Sequence, residues 1–126
     1  MEKAIFIVEK TNTGYSAFCD QYNAATTAST YPELRDNMLE SLNLVWNAEG
    51  LKKVESKDIQ VQLDLQQFFE FYNEINVLGL CKRIGINNAL MSQYLNGKKT
   101  PSQKQVKRIL EGIKSFGSEL AAIDIV

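Results

Sequence analysis

Leu80-Cys-Lys-Arg-Ile-Gly-Ile-Asn-Asn-Ala-Leu-Met-Ser-Gln-Tyr-Leu-Asn-Gly97 is the stretch whose reading decides the fold. Apolar residues recur at helical spacing on either side of Gly85-Ile-Asn87, which predicts two short helices joined by a tight turn. Helices that cross closely need a small residue in the first, and Cys81 supplies it. The turn needs a residue that tolerates positive φ four positions later, and Gly85 stands there. Met91 and Tyr94 have the spacing of apolar anchors facing the first helix, while Asn87 or Asn88 is placed to cap the second. This is the pattern of a helix-turn-helix.

Working toward the C-terminus, Asn96-Gly97 closes the second helix and Lys98-Lys-Thr-Pro-Ser102 opens another, with Val106, Ile109, Leu110 and Ile113 returning to the core. Gly112–Gly117 is expected to break the helical run. Toward the N-terminus, Leu65, Phe68, Phe69, Tyr72 and Ile75 line one helical face, and Asp64 with Gln67 supplies a start signal. The expectation is an all-α domain of five helices over residues 63–126.

Before Asp64 the period is two. Ala4-Ile-Phe-Ile-Val8 and Tyr15–Asp20 read as strands joined at the turn cluster Thr11–Gly14, and Ala24–Ser29 as a weaker third strand. Thr30-Tyr-Pro-Glu33 is a capping-box helix start with Pro32 in the first turn, and Leu34, Met38, Leu42 and Val45 then recur at helical spacing. Ile59–Asp64 alternates as a half-buried strand. Residues 1–62 are thus expected to form a small β-β-(β)-α-β domain, making the whole chain α+β. Tyr15 and Phe18 have the character of either core or interface residues, and the core is the expectation. The apolar tail Ile123–Val126 has either the helical domain or a dimer contact to pack on.

Composition bounds the chemistry. The chain has 126 residues, 44% hydrophobic and 23% charged, the balance of a folded protein. No apolar run approaches the ~20 residues of a membrane span, and Met1–Glu9 lacks the features of a signal peptide, so the cytoplasm is the default expectation. Cys19 and Cys81 have no metal-ligand spacing and read as small buried hydrophobes. Histidine is absent, which removes the commonest general base and nitrogen ligation of zinc. No metal and no cofactor is expected. Residues 1–76 hold six Lys and Arg against twelve Asp and Glu, a net −6; residues 77–126 hold eight against three, a net +5. Two halves with different partners are implied, a polyanion for the second and a basic molecule for the first.

The C-terminal 60 or so residues resemble the phage-repressor and Cro-like helix-turn-helix domains. That resemblance implies base-edge contacts from Asn88, Ala89, Ser92 and Gln93, whose amides suit adenine and whose alanine suits a thymine methyl. It implies phosphate contacts from Lys98, Lys99, Ser102 and Lys104, and a packing core of Cys81, Gly85, Met91 and Tyr94. One departure is Val77, where the family often opens its second helix with a phosphate-binding Gln. Binding as a homodimer or higher homo-oligomer is expected, since one such helix buries too little surface for specificity.

The N-terminal half resembles the first domain of HicB-type antitoxins, through Ala4–Glu9, Gly14-Tyr-Ser-Ala-Phe18 and the helix from Thr30 to Leu44. It departs from that family at Cys19-Asp-Gln-Tyr-Asn-Ala24. The resemblance implies a partial RNase H-like fold and a type II toxin–antitoxin role, in which the protein neutralises a basic HicA-like ribonuclease and represses its own operon. The alternative is a stand-alone transcription regulator whose first domain oligomerises or senses a ligand. Nuclease activity would draw on Glu9, Asp20 and Asp64. The first strand has no carboxylate in its middle, where active RNase H-like enzymes keep one, so no catalytic residue is expected.

Overall fold

The structure is a computed structural model that describes residues 3–125. It is mixed α and β. The strands are β1 (Ala4–Thr11), β2 (Gly14–Cys19), β3 (Ala24–Ala28) and β4 (Ile59–Leu63). The helices are α1 (Tyr31–Ala48), between β3 and β4, then α2 (Leu65–Phe71), α3 (Val77–Ile84), α4 (Asn88–Leu95) and α5 (Gln103–Ala121). The chain forms two compact units that divide between Phe71 and Tyr72.

In the first unit the strands form one sheet in the order β3-β2-β1-β4. β1 pairs antiparallel with β2, Ile7 opposite Phe18, and parallel with β4, Phe6 opposite Val61. Alternation sends Ala4, Phe6 and Val8 of β1 into the core, where they meet Leu34, Met38, Leu42 and Trp46 of α1. The fourth anchor of α1 is therefore Trp46, fully buried, with Val45 only half-buried beside it. Thr30 caps α1 as its sequence implies, accepting from the Glu33 N–H at 3.3 Å. β3 carries small residues because α1 lies over it: Ala24 is buried, and a larger side chain there would lift the helix.

Two glutamines extend the ladder of β1 at its two ends. The Gln67 carboxamide accepts from Lys10 N–H (2.9 Å) and donates to Lys10 C=O (2.7 Å), beyond the last residue of β4. The Gln21 carboxamide accepts from Ile5 N–H at 2.8 Å. The first of these bonds ties α2 to the sheet. The helix that begins at Leu65 consequently belongs to the first unit and stops at Phe71, short of Ile75. Asp64 accepts from Gln67 N–H at its start, 3.0 Å.

The expectation for Phe18 needs correcting. It alternates with buried Ala17 and Cys19 and so falls on the sheet face away from α1, where it is half-buried opposite Ile7. Tyr15 does pack against the core and meets Tyr31 edge-on, ring centres 6.1 Å apart.

In the second unit Leu80 and Cys81 of α3, Ile86 of the turn, Met91 of α4, and Val106 and Ile109 of α5 are buried. The expected break near Gly112–Gly117 is absent, and α5 runs unbroken for 19 residues. Gly112 serves a close approach instead: a Cβ there would lie 2.7 Å from Cγ2 of Ile84. A glycine costs a helix only about 1 kcal/mol, which the packing of α3 against α5 offsets. Ile123 and Ile125 beyond α5 are 60% and 90% exposed, and Val126 lies outside the described residues. Among the described residues no helix is long and apolar enough to cross a membrane.

The two glycines of α5 are predicted to respond oppositely to alanine. Cγ2 is fixed to the stiff Cβ of a helical isoleucine, so Gly112→Ala is expected to lose about 1–3 kcal/mol to overpacking, more than the propensity it gains. No atom lies within 4 Å of a Cβ at Gly117, and Gly117→Ala is expected to gain about 0.5–1 kcal/mol. Urea denaturation of both variants decides it; a stabilised Gly112→Ala would contradict the close packing.

Candidate nucleic-acid interface

Local hydrogen bonds and one left-handed glycine fix the two ends of α3 and the start of α4. Asn76 caps α3, its Oδ1 accepting from Gly79 N–H at 3.1 Å. Gly85 ends α3 in the left-handed region, φ 77°, a conformation that a side chain disfavours. From there Gly85 N–H and Ile86 N–H both donate to Cys81 C=O, at 2.8 and 3.0 Å. Cys81 itself is buried, which pushes its thiol above the ordinary value. Of the two asparagines that open α4, Asn87 is the cap. Its Oδ1 accepts from Ala89 N–H (2.7 Å) and Leu90 N–H (3.4 Å), leaving Asn88 as the first exposed residue of the helix.

α4 divides into two faces. Met91 is buried, and half-buried Tyr94 accepts a long bond, 3.5 Å, from the Gln105 amide of α5. On the other side Asn88, Ala89 and Ser92 are exposed and Gln93 is half-buried, so the four residues expected to meet bases lie together along one strip. Ser92 Oγ accepts from Asn96 Nδ2 at 3.4 Å, a bond that a ligand must compete with.

The lysine-bearing loop is built from α4 itself. Lys98 N–H and Lys99 N–H both donate to Gln93 C=O, at 2.9 and 3.2 Å, which folds the loop back against the end of the helix while both lysines stay exposed. Ser102 caps α5 by accepting from Gln105 N–H at 3.1 Å, and Lys104 stands exposed in the first turn. Orphan N–H groups at the start of α5 add partial positive charge there. Between Ile75 and Leu110 the chain has seven Lys and Arg and no Asp or Glu. Arg108 and Lys107 extend this strip along α5, lining a shallow concavity with Ser102, Lys104, Gln105 and Glu111.

Several contributors were not identified from the sequence. Arg108 Nη2 donates to the carbonyls of Ile84 (2.8 Å) and Gly85 (3.2 Å), the orphan acceptors at the end of α3. Arg83 bonds Glu119 at 2.7 Å and lies over the Phe116 ring, 4.9 Å from its centre. That bond holds the Glu119 carboxyl below its ordinary value and the Arg83 guanidinium above its own. Their only sequence signal was charge on an amphipathic helix, which has no unique partner.

The three carboxylates weighed for catalysis lie on separate elements: Glu9 in β1, Asp20 opening a short 3-10 turn, and Asp64 capping α2. Among the described residues no group of three or more His, Cys, Asp or Glu is placed to hold a metal ion. No family model, curated protein or solved structure matches this chain.

Proposed function

We propose that the second unit is a helix-turn-helix domain that reads operator DNA with α4, and that the chain is a transcriptional repressor. One observation carries this reading. An uncharged strip of amides and small residues, exposed Asn88, Ala89 and Ser92 with half-buried Gln93, adjoins a lysine loop hydrogen-bonded to the same helix. Amides and small side chains discriminate base edges, while lysines and a helix N-terminus meet phosphates without regard to sequence. Together they supply specificity and salt-sensitive affinity. Two copies of the chain on paired half-sites would double the contact area.

We further propose that the first unit is the antitoxin half of a toxin–antitoxin pair, as its resemblance to HicB-type domains implies, with a partial RNase H-like fold that binds rather than cleaves. Its charge supports this: α1 turns Glu33, Asp36 and Glu40 outward, opposite buried Leu34, Met38 and Leu42, within a region of net −6 over residues 1–76. Such a surface complements a basic, HicA-like ribonuclease.

Each half has its own test. In anisotropy titrations, Gln93→Ala is expected to cost about 1–3 kcal/mol on the protein's own promoter and little on unrelated DNA. Lys98→Gln with Lys99→Gln is expected to weaken both and to lower the salt slope by about one per lysine. Equal loss on both DNAs from Gln93→Ala would remove the base-reading role. For the first unit, the full chain is expected to form a stable complex with a small basic ribonuclease encoded beside it and to silence its cleavage of RNA. Undiminished cleavage at excess protein would leave self-association or ligand sensing as the function of that unit.

A further inference from the structure

We infer that Arg108 is a positioning residue for DNA reading: its guanidinium fixes the α3–α4 turn and so the aim of α4, rather than meeting a phosphate. The inference rests on the DNA reading above. Arg108 stands on the same side of α5 as Lys104 and Lys107 and would pass for one more member of the basic strip. Its bonds say otherwise. Nη2 donates to the carbonyls of both Ile84 and Gly85, the last of α3 and the first of the turn, from 24 and 23 residues away in sequence.

These carbonyls have no intrahelical donor, because α3 ends at Ile84 and the residues four positions on, Asn88 and Ala89, already belong to α4, where Ala89 N–H bonds Asn87 Oδ1. A cation at a helix C-terminus also opposes the negative end of its dipole. The same nitrogen lies 3.3 Å from where a Cβ on Gly85 would be, so the guanidinium sits directly over the left-handed residue that sets the crossing angle. One turn further along α5, Gly112 receives Ile84. α5 thus grips the end of α3 twice, by charge-assisted bonds and by close packing. α4 begins three residues beyond Gly85, at Asn88, so any looseness of the turn swings Asn88–Gln93 relative to Lys98 and Lys104, which must meet the same duplex.

A phosphate contact and a positioning bond leave different signatures. Removing a phosphate contact weakens binding to every sequence and lowers the salt slope by about one. Removing a positioning bond spoils base reading while nonspecific binding keeps its slope. Arg108→Gln is the test, with Lys107→Gln, which removes the same charge one residue away, as control. Arg108→Gln is expected to keep a cooperative thermal transition and to speed amide exchange at Gly85 and Ile86 in the absence of DNA. It is expected to lower the preference for promoter over unrelated DNA by about tenfold, the scale of one lost base contact, at an unchanged salt slope on unrelated DNA. Should Arg108→Gln fail to fold, Arg108→Lys, which keeps the charge but loses the planar fork, is measured for exchange and preference in its place.

A lower salt slope with full preference would overturn the inference and make Arg108 a phosphate contact, as would unchanged exchange at Gly85 and Ile86. The exchange measurement needs no DNA and stands even if the wild-type protein shows no promoter preference. That last result would contradict the DNA reading itself.

Discussion

The second unit depends on how closely α3 can approach α5. Ile84 meets α5 where Gly112 has no side chain, and that absence brings the end of α3 within reach of Arg108 one turn back. On the far side of the contact Arg83, Phe116 and Glu119 add an ion pair and a cation over a ring. Both Arg83 and Glu119 are substantially exposed, 39% and 61%, so the pair orients more than it stabilises. The buried apolar residues provide the stability. Once α3 is held, Gly85 and the Asn87 cap fix where α4 starts, and Gln93 C=O fixes where the lysine loop turns. The uncharged strip on α4 and the basic loop therefore have a defined spacing, which the proposed reading of a regular duplex needs.

The first unit uses a different economy. β1 is an interior strand whose partners are shorter or offset at its ends, and backbone groups left there would otherwise lack partners. Gln21 and Gln67 supply them with side-chain amides. Lys10 is drawn into the same corner: its ammonium donates to the carbonyls of Thr11 and Gly14 and lies over the Tyr15 and Phe71 rings. Opposite the core-facing side, Ile5, Ile7 and Phe18 share the second face of the sheet among polar neighbours.

What the sequence made legible was local. The hairpin at Thr11–Gly14, the weak strand after Ala24, the Thr30 cap, the glycine ending α3 and an asparagine capping α4 are each decided by a few adjacent residues. Capping and alternation act over that range. The unbroken α5 was not legible, because a glycine that breaks a helix and one that admits a neighbouring helix look alike until the neighbour is known. Gln67 bonding Lys10 across 57 residues, or Arg108 reaching back to Ile84, leaves no periodic trace. The boundary between the units moved for the same reason: the change of period at Asp64 marks where helix begins, but the Gln67 bonds keep that helix with the sheet. At the candidate site, the strip on α4 came from the resemblance to repressor-type domains, whereas the partners that hold α4 in place had no signal in the sequence.

The proposed DNA contact runs along Asn88–Gln93 and Lys98–Lys104. The most direct measurement is an amide chemical-shift map of the isotope-labelled full chain, titrated with a duplex from its own upstream region. Large shifts are expected at those two segments and at the start of α5, with the strands β1–β4 little changed. Shifts concentrated in the sheet or α1, or none at saturating duplex, would contradict it.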